Sequence, residues 1–301
     1  LNDYQLAMEI VETCLSFNPE NQRAQLYKSL IFSWIGQHDE AKRLVKKSMI
    51  RWPESNDACI TAAQIEKNAG NTRMQLEYIN TMFKLNGLSP VISSSPEYSI
   101  NPAYLSTATK QTLHDARLVS VIMTCYKRDP LLKNAIDSIL NQTYRNIELI
   151  IVDDCSPDDN FSYLQELTKN DDRVRIFQLS ENGGTYVAKN FGMALAKGEF
   201  IAFMDSDDYS HAERIQRQVA FLDVHPDVMA VTNDYFRVDE SSDIEFRGIG
   251  ALRMACISVM FRGEVVNKIG YFDSLRVGAD SEYIERIEAF FGRGTTKRER
   301  L

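Results

Sequence analysis

The stretch "GEFIAFMDSDDYS", residues 198–210, decides how the rest of the chain is read. An apolar run, Phe200-Ile201-Ala202-Phe203-Met204, delivers the chain into Asp205, Asp207 and Asp208. Carboxylates this close repel one another, and no basic residue adjoins them in sequence, so a cation is expected where the run ends. A short apolar run without alternation is the pattern of a strand buried on both faces. The chain from Leu118 onward repeats the same grammar. "LVSVIMTC" (118–125), "IELIIVDD" (147–154) and "RVRIFQL" (173–179) read as further strands. "PLLKNAIDSILNQ" (130–142), a segment around 160–169 and "GTYVAKNFGMALAKG" (184–198) read as the helices between them. Strands alternating with helices predict a mostly parallel α/β sheet covered on both faces.

Ligands of such sheets sit beyond the carboxyl ends of the strands. The polar residues fall at that edge: Thr124 to Arg128, Asp153-Asp154, Asn182-Gly183-Gly184 and Asp205-Ser206-Asp207-Asp208. No Gly-x-Gly-x-x-Gly follows the first strand and no Gly-Lys-Ser/Thr loop is present, so neither a dinucleotide fold nor a P-loop is supported. A nucleotide would need other grips. Tyr126 offers a flat face for a base, Asp154 an acceptor for its N–H groups, and Asp205 and Asp207 two hard oxygen ligands for a cation on a diphosphate. Singly, each residue has a plainer account: a lone Tyr packs, and Asp-Asp after a strand makes a turn or a helix cap. Their joint placement favours a site.

The N-terminal part follows a different rule. Ala7 recurs as Ala41, Pro19 as Pro53, Ala24 as Ala58 and Gly36 as Gly70, each after 34 residues. Small residues let paired helices approach, Pro starts a helix and Gly releases a turn. The spacing resembles tetratricopeptide repeats over residues 1–85, with a degenerate third unit in which Gln75 stands where the small residue should return. Residues 86–117, including "NGLSPVISSSPEYSINPAY" (86–104), read as a linker. Residues 1–95 carry ten basic and ten acidic side chains, so the whole net charge of −8 lies in the remainder. An acidic remainder argues against a nucleic-acid partner. The five cysteines are scattered without a Cys-x-x-Cys pair, which suits reduced thiols. No run approaches the ~18 apolar residues of a membrane span. The chain begins with Leu1 and shows no signal-peptide pattern, so it reads as an excerpt of a cytoplasmic protein, with peripheral contact at the inner face of the membrane as an option.

"VSVIMTCYKRDPLLKNAIDSILNQTYRNIELIIVDDCSPDD" (119–159) and "ENGGTYVAKNFGMALAKGEFIAFMDSDDYS" (181–210) together resemble the nucleotide-sugar half of family 2 glycosyltransferases of the GT-A fold. The resemblance covers residues 118–236 well, continues more weakly to 292, and makes 118–301 one domain expected to be cut short at its C-terminus. It implies an inverting transferase that takes a sugar from a nucleotide-sugar, with UDP as the usual nucleotide, to a glycan or lipid-linked acceptor of cell-surface polysaccharide. It implies that Tyr126 stacks on the donor base and Asp154 hydrogen-bonds it, within a donor site holding Thr124, Arg128, Gly184, Asp205 and Ser206. Asp205-Ser206-Asp207 matches the family's Asp-x-Asp, which makes Asp207 the direct ligand of Mn2+ or Mg2+ and sets Asp205 nearer the ribose and sugar. Lys189-Asn190 replaces the common Arg-Asn and keeps a positive charge for the diphosphate. In "RVGADSEYIERI" (276–287) Ala279-Asp280 replaces Glu-Asp, retaining Asp280 as the base. Glu282 is the competing candidate. His211 reads as a capping residue, His225 as a loop residue and "TTKRER" (295–300) as a solvated tail. The rival readings are a protein that binds nucleotide-sugar without turning it over, and a scaffold that captures a partner or self-associates through the repeats.

Overall fold

A computed structural model describes residues 4–108, 116–247, 250–273, 275 and 277–299, with Ala255 described by its backbone alone. The chain divides into two compact units. One contains Leu1–Ala108 and Tyr235–Arg253, the other Thr109–Asp234 and Met254–Arg300.

The first unit opens with five helices: α1 (Tyr4–Phe17), α2 (Gln22–Trp34), α3 (His38–Arg51), α4 (Asn56–Asn68) and α5 (Thr72–Leu85). The start of α4 lies 34 residues after that of α2, and α5 starts 34 after α3. Helix initiation, expected of Pro19 and Pro53, falls instead to Asn21 and Ser55. Their side chains accept from the N–H groups of Ala24 (3.0 Å) and Ala58 (3.1 Å), satisfying donors that a helix start leaves without partners. Ala24, Ala41 and Ala58 are buried between helices, as the repeat requires; Gln75 is buried as well. Past α5, two short antiparallel strands, β1 (Val91–Ser93) and β2 (Leu105–Thr107), lie in the stretch read as linker. Asn80 of α5 orders it by exchanging two hydrogen bonds with the backbone of Val91 (2.8 and 2.9 Å). Residues 109–115 of that stretch lie outside the described residues.

The second unit runs β3 (Val119–Cys125), α6 (Leu132–Leu140), β4 (Ile147–Asp153), α7 (Asn160–Thr168), β5 (Val174–Gln178), α8 (Thr185–Leu195), β6 (Phe200–Asp205), α9 (Arg214–Val224), β7 (Ala230–Tyr235), β8 (Arg253–Arg262), α10 (Glu264–Ile269), α11 (Ala279–Phe291) and β9 (Thr296–Glu299). The sheet order is β5-β4-β3-β6-β8-β7-β9, parallel from β5 to β6, with β8 antiparallel to β6. This is the α/β class expected, a mostly parallel sheet flanked by helices and preceded by an all-α region. Val119, Val121 and Met123 pack with α6 and α9 on one face, while Ile122 packs with the cluster of α8 and α11 on the other. Burial of both faces is why the strands read as unbroken apolar runs. The stretch read as a solvated tail supplies β9 instead: Thr296 to Glu299 pair in parallel with Ala230 to Asn233. The open edge of β7 offers backbone donors and acceptors that the tail satisfies, and Glu288 of α11 holds its entry through the amides of Gly294 and Thr296, both 2.7 Å. Residues 300–301 lie outside the described residues.

From β3 the chain steps outward to β4 and β5, then returns across β3 as β6, so the order reverses between β3 and β6. Such a reversal opens a crevice at the carboxyl edge. Register brings the polar ends level: Thr124 pairs with both Val152 and Asp205, and Asp153 with both Cys125 and Gln178.

Helix α8 reaches this crevice because Gly192 lets it approach β3; a Cβ there would lie 2.6 Å from Cγ2 of Ile122. Helix propensity alone would reward Gly192→Ala by about 1 kcal/mol. The clash with a buried side chain should outweigh it, since overpacking costs about 1–3 kcal/mol. The expected result is a lower urea midpoint; a higher one would mean that α8 shifts freely on the sheet.

Candidate functional site

The two carboxylates ending β4 have separate tasks. Asp153 is fully buried and accepts from Asn160 Nδ2 (3.0 Å), Gln178 Nε2 (2.8 Å) and the hydroxyl of Ser156. The neighbouring Cys125 thiol is pushed up to about 12, chiefly by burial and next by the charge of Asp153. Asp153 is thus an internal anchor. Asp154, also buried, turns to the next loop and accepts from the backbone N–H groups of Gly183 and Gly184, one on each oxygen at 2.8 Å. Gly184 has φ +85°, which a side chain disfavours, and from it α8 begins. Thr185, the first residue of α8, shares a 3.0 Å hydroxyl contact with Thr124 at the end of β3. Thr124, Asp154 and Gly184 are therefore brought into one assembly.

The loop after β3 holds Tyr126 about half exposed, 49%, at its crest. Lys127 beside it has φ +67°, an uncommon geometry for a residue with a side chain, and donates its N–H to Ser156 Oγ (2.9 Å). Arg128 donates its backbone N–H to Asp158 (2.9 Å), and its guanidinium lies 3.7 Å from the centroid of the Tyr163 ring on α7. That stacking engages Arg128 with α7, which supports the loop.

At the end of β6 the positive partner absent from the local sequence comes from another element. Lys189 of α8 is buried, and its ammonium lies 3.4 Å from Asp205 Oδ1. The same ammonium lies 5.6 Å from the centroid of the Tyr186 ring. Tyr186 in turn donates its hydroxyl to Asp280 Oδ1 at 3.0 Å. Burial, above all, raises the Tyr186 phenol above its ordinary value, so it remains a donor. Asp205, Lys189, Tyr186 and Asp280 form a chain of contacts. Asn190, next to Lys189, pairs its amide with both backbone groups of Phe272 (2.8 and 3.0 Å) and so ties α8 to the segment leading to Asp280. Ala279, where the family resemblance leads one to expect Glu, is fully buried in the aromatic cluster under α11. Asp280 lies in the first turn of α11, where the helix dipole favours an anion, and Oδ1 also accepts from Ser281 N (2.9 Å). Glu282 is differently engaged: Arg286 binds both its oxygens (2.7 and 2.5 Å) and holds its carboxyl below the usual range.

Ser206 is half-buried and Asp207 exposed in the turn after β6. Among the described residues no three or more metal-capable side chains converge. Asp205 and Asp207 supply two hard oxygen donors at this turn, one of them already 3.4 Å from the Lys189 ammonium. His211 accepts from the N–H of Glu213 (3.3 Å) just before α9, as a cap does, and His225 stacks on Phe221. Sequence reading missed Tyr186, Ser156 and Gln178. The one available signal was position: Tyr186 lies three residues before Lys189 and so shares its helix face.

The family model described as Glycosyl transferase family 2 matches residues 120–275, a span holding every site residue above except Asp280 and its helix. The putative teichuronic acid biosynthesis glycosyltransferase TuaG of Bacillus subtilis is 38% identical over 105 residues, 35% of this chain and 42% of TuaG. The UDP-Glc:alpha-D-GlcNAc-diphosphoundecaprenol beta-1,3-glucosyltransferase WfaP of Escherichia coli is 34% identical over 122 residues, 40% of this chain and 48% of WfaP. The chain thus spans less than half the length of either relative. Among solved structures, S. aureus TarS 1-349 in complex with UDP-GlcNAc aligns at a TM-score of 0.46 and 23% identity, over 55% of this chain and 51% of that one.

Asp154→Asn would set an amide donor against one of the two glycine N–H groups. Leaving a buried donor unsatisfied should lower stability by about 1–3 kcal/mol. Amide hydrogen exchange at Gly183 and Gly184 should quicken with it; unchanged protection would show that the loop holds its shape without the carboxylate.

Proposed function

The chain belongs to glycosyl transferase family 2, and from that premise we propose that it moves a sugar from a UDP-sugar to a hydroxyl of a glycan or lipid-linked acceptor, with inversion at the anomeric carbon. The observation that carries this reading is the contact chain from Asp205 through Lys189 and Tyr186 to Asp280, at the carboxyl edge of the parallel strands. The donor and acceptor named for WfaP and the polymer named for TuaG support a UDP donor and a role in surface polysaccharide synthesis. A nucleotide-sugar donor suits a cytoplasmic reaction. The 34-residue helical series is read as tetratricopeptide-like.

In this reading Tyr126 stacks on uracil. Asp154, whose oxygens each keep a second lone pair, accepts from the base while holding the Gly183-Gly184 turn beneath the nucleotide. Asp205, restrained by Lys189, faces the ribose and sugar, with Thr124, Gly184 and Ser206 lining the same crevice. Arg128 serves the loop that carries Tyr126. Asp207 and Asp205 would hold Mn2+ or Mg2+ with oxygens of the diphosphate, and the cation, when bound, supplies neutralisation of the leaving group. Asp280 takes the proton of the acceptor hydroxyl as its oxygen bonds to the anomeric carbon. The bond from that carbon to the diphosphate breaks, and its electron pair leaves with UDP. Tyr186 and Ser281 fix Oδ1, so Oδ2 is the oxygen that receives the proton. Glu282, paired with Arg286, is no competitor.

UDP affinity by isothermal titration should rise with Mn2+, and Asp207→Asn should lose most of that gain; equal affinity with Mn2+ and EDTA would overturn the metal assignment. Asp280→Asn should bind UDP as the parent does while UDP release from UDP-sugars in the presence of acceptor glycans falls by about 10²–10⁴. Parental turnover in that variant would place the base elsewhere. Binding without turnover in the parent, across a panel of UDP-sugars and glycan acceptors, would favour the non-catalytic reading.

A further inference from the structure

After Asp234 the chain leaves the sheet unit, and until Arg253 it belongs to the unit of the helical repeats. These residues, an arm inside the span matched by the family model, are held there by specific bonds. The Gln64 side chain on α4 uses its whole amide: Nε2 donates to Asn68 Oδ1 (2.8 Å) and Asp243 Oδ1 (2.7 Å), and Oε1 accepts from the backbone N–H of Ile244 (2.6 Å). Gln75 on α5, wholly buried, donates to the carbonyl of Ser242 (2.7 Å). Ser99 meets the Ser242 hydroxyl at 2.7 Å. Ile244 is buried, and Phe246 packs against the repeat core around Leu26, Leu30 and Ala62.

The arm makes part of its own shape, with backbone bonds from Asp239 N to Asp243 O, Ser242 N to Asp239 O and Glu245 N to Arg237 O (each 3.0 Å), but these do not account for its burial. Asp239-Glu240-Ser241-Ser242-Asp243 carries three acidic residues, and buried Ser242 has φ +68°, a strained conformation for serine. Asp239 shapes the turn by accepting from the N–H groups of Ser241 (2.8 Å) and Asp243 (2.9 Å), but these bonds do not bury it. The repeats, for their part, have an oddity that the arm resolves. Gln75 occupies the place where the series calls for a small residue, and a buried amide is tolerated only when it is bonded. The arm partners its nitrogen, while Oε1 has no hydrogen-bond partner among the described residues.

We propose that the helical repeats are the internal receptor of this arm: buried amides of α4 and α5 hold its turn against them, and an outside polypeptide could reach Gln64 and Gln75 only by displacing it. The proposal does not depend on the transferase reading. Hydrogen–deuterium exchange of the full chain tests it. Residues 239–246 should exchange far more slowly than the exposed residues Glu181 and Asn182. Replacing both glutamines, Gln64→Met with Gln75→Met, should speed their exchange about tenfold or more, as loss of several hydrogen bonds implies. Helix content by circular dichroism should stay unchanged. Phe246→Ala, made on the arm and outside every helix, should produce the same loosening and decides the matter if the double variant does not fold. An arm that exchanges freely in the parent, or parental exchange in the variants, would overturn the proposal.

Discussion

A strand buried on both faces leaves its polar side chains one place to go, its end. That constraint governs the sheet unit. β3 is flanked by β4 and β6 in parallel register, so three such ends lie level, and no water-facing side of the strand could take their carboxylates. The reversal of strand order between β3 and β6 opens the crevice, while alternation along β3 assigns α6 and α9 to one face and α8 and α11 to the other. Helix α8 thereby arrives beside the end of β6 with Lys189 and Tyr186 directed toward Asp205 and Asp280.

Four of the carboxylates near the strand ends are each stabilised by a different kind of partner. Asp153 relies on neutral side-chain donors, Asp154 on backbone amides, Asp205 on an ammonium, and Asp280 on a phenol, one amide and a helix terminus. Neutral donors suit the most buried of them, because an ion pair sealed from water recovers its desolvation only with excellent geometry. The ammonium goes to Asp205, whose side chain is 39% exposed.

Much of this was legible in the sequence because it depends on neighbours along the chain. Apolar runs of period one located β3, β4, β5 and β6, and the 34-residue offset located the helix pairs before any pairing was known. The polar strand ends followed from the sheet class. What escaped depends on contacts distant in sequence. Lys189 reaches Asp205 from a different helix. The residues of β9, polar and charged, form a strand only because β7 offers an open edge. Gln75 read as a decayed repeat position, for its partner Ser242 is 167 residues away. Stacking of Arg128 on Tyr163 likewise has no local signature.

The arm also orders events during synthesis. The helical unit opens with α1 to α5, yet residues 235–253 complete it. On a ribosome adding about 5–20 residues per second, the repeats wait on the order of ten seconds for the segment that fills them. Through that interval Gln64 has its bond to Asn68 alone, and Gln75 must be served by water or by chance neighbours. The bond from Ile244 to Gln64 closes a loop of 180 residues, the kind of distant contact that forms late. The repeats leave the ribosome before the sheet does, and are finished only once β7 has been made.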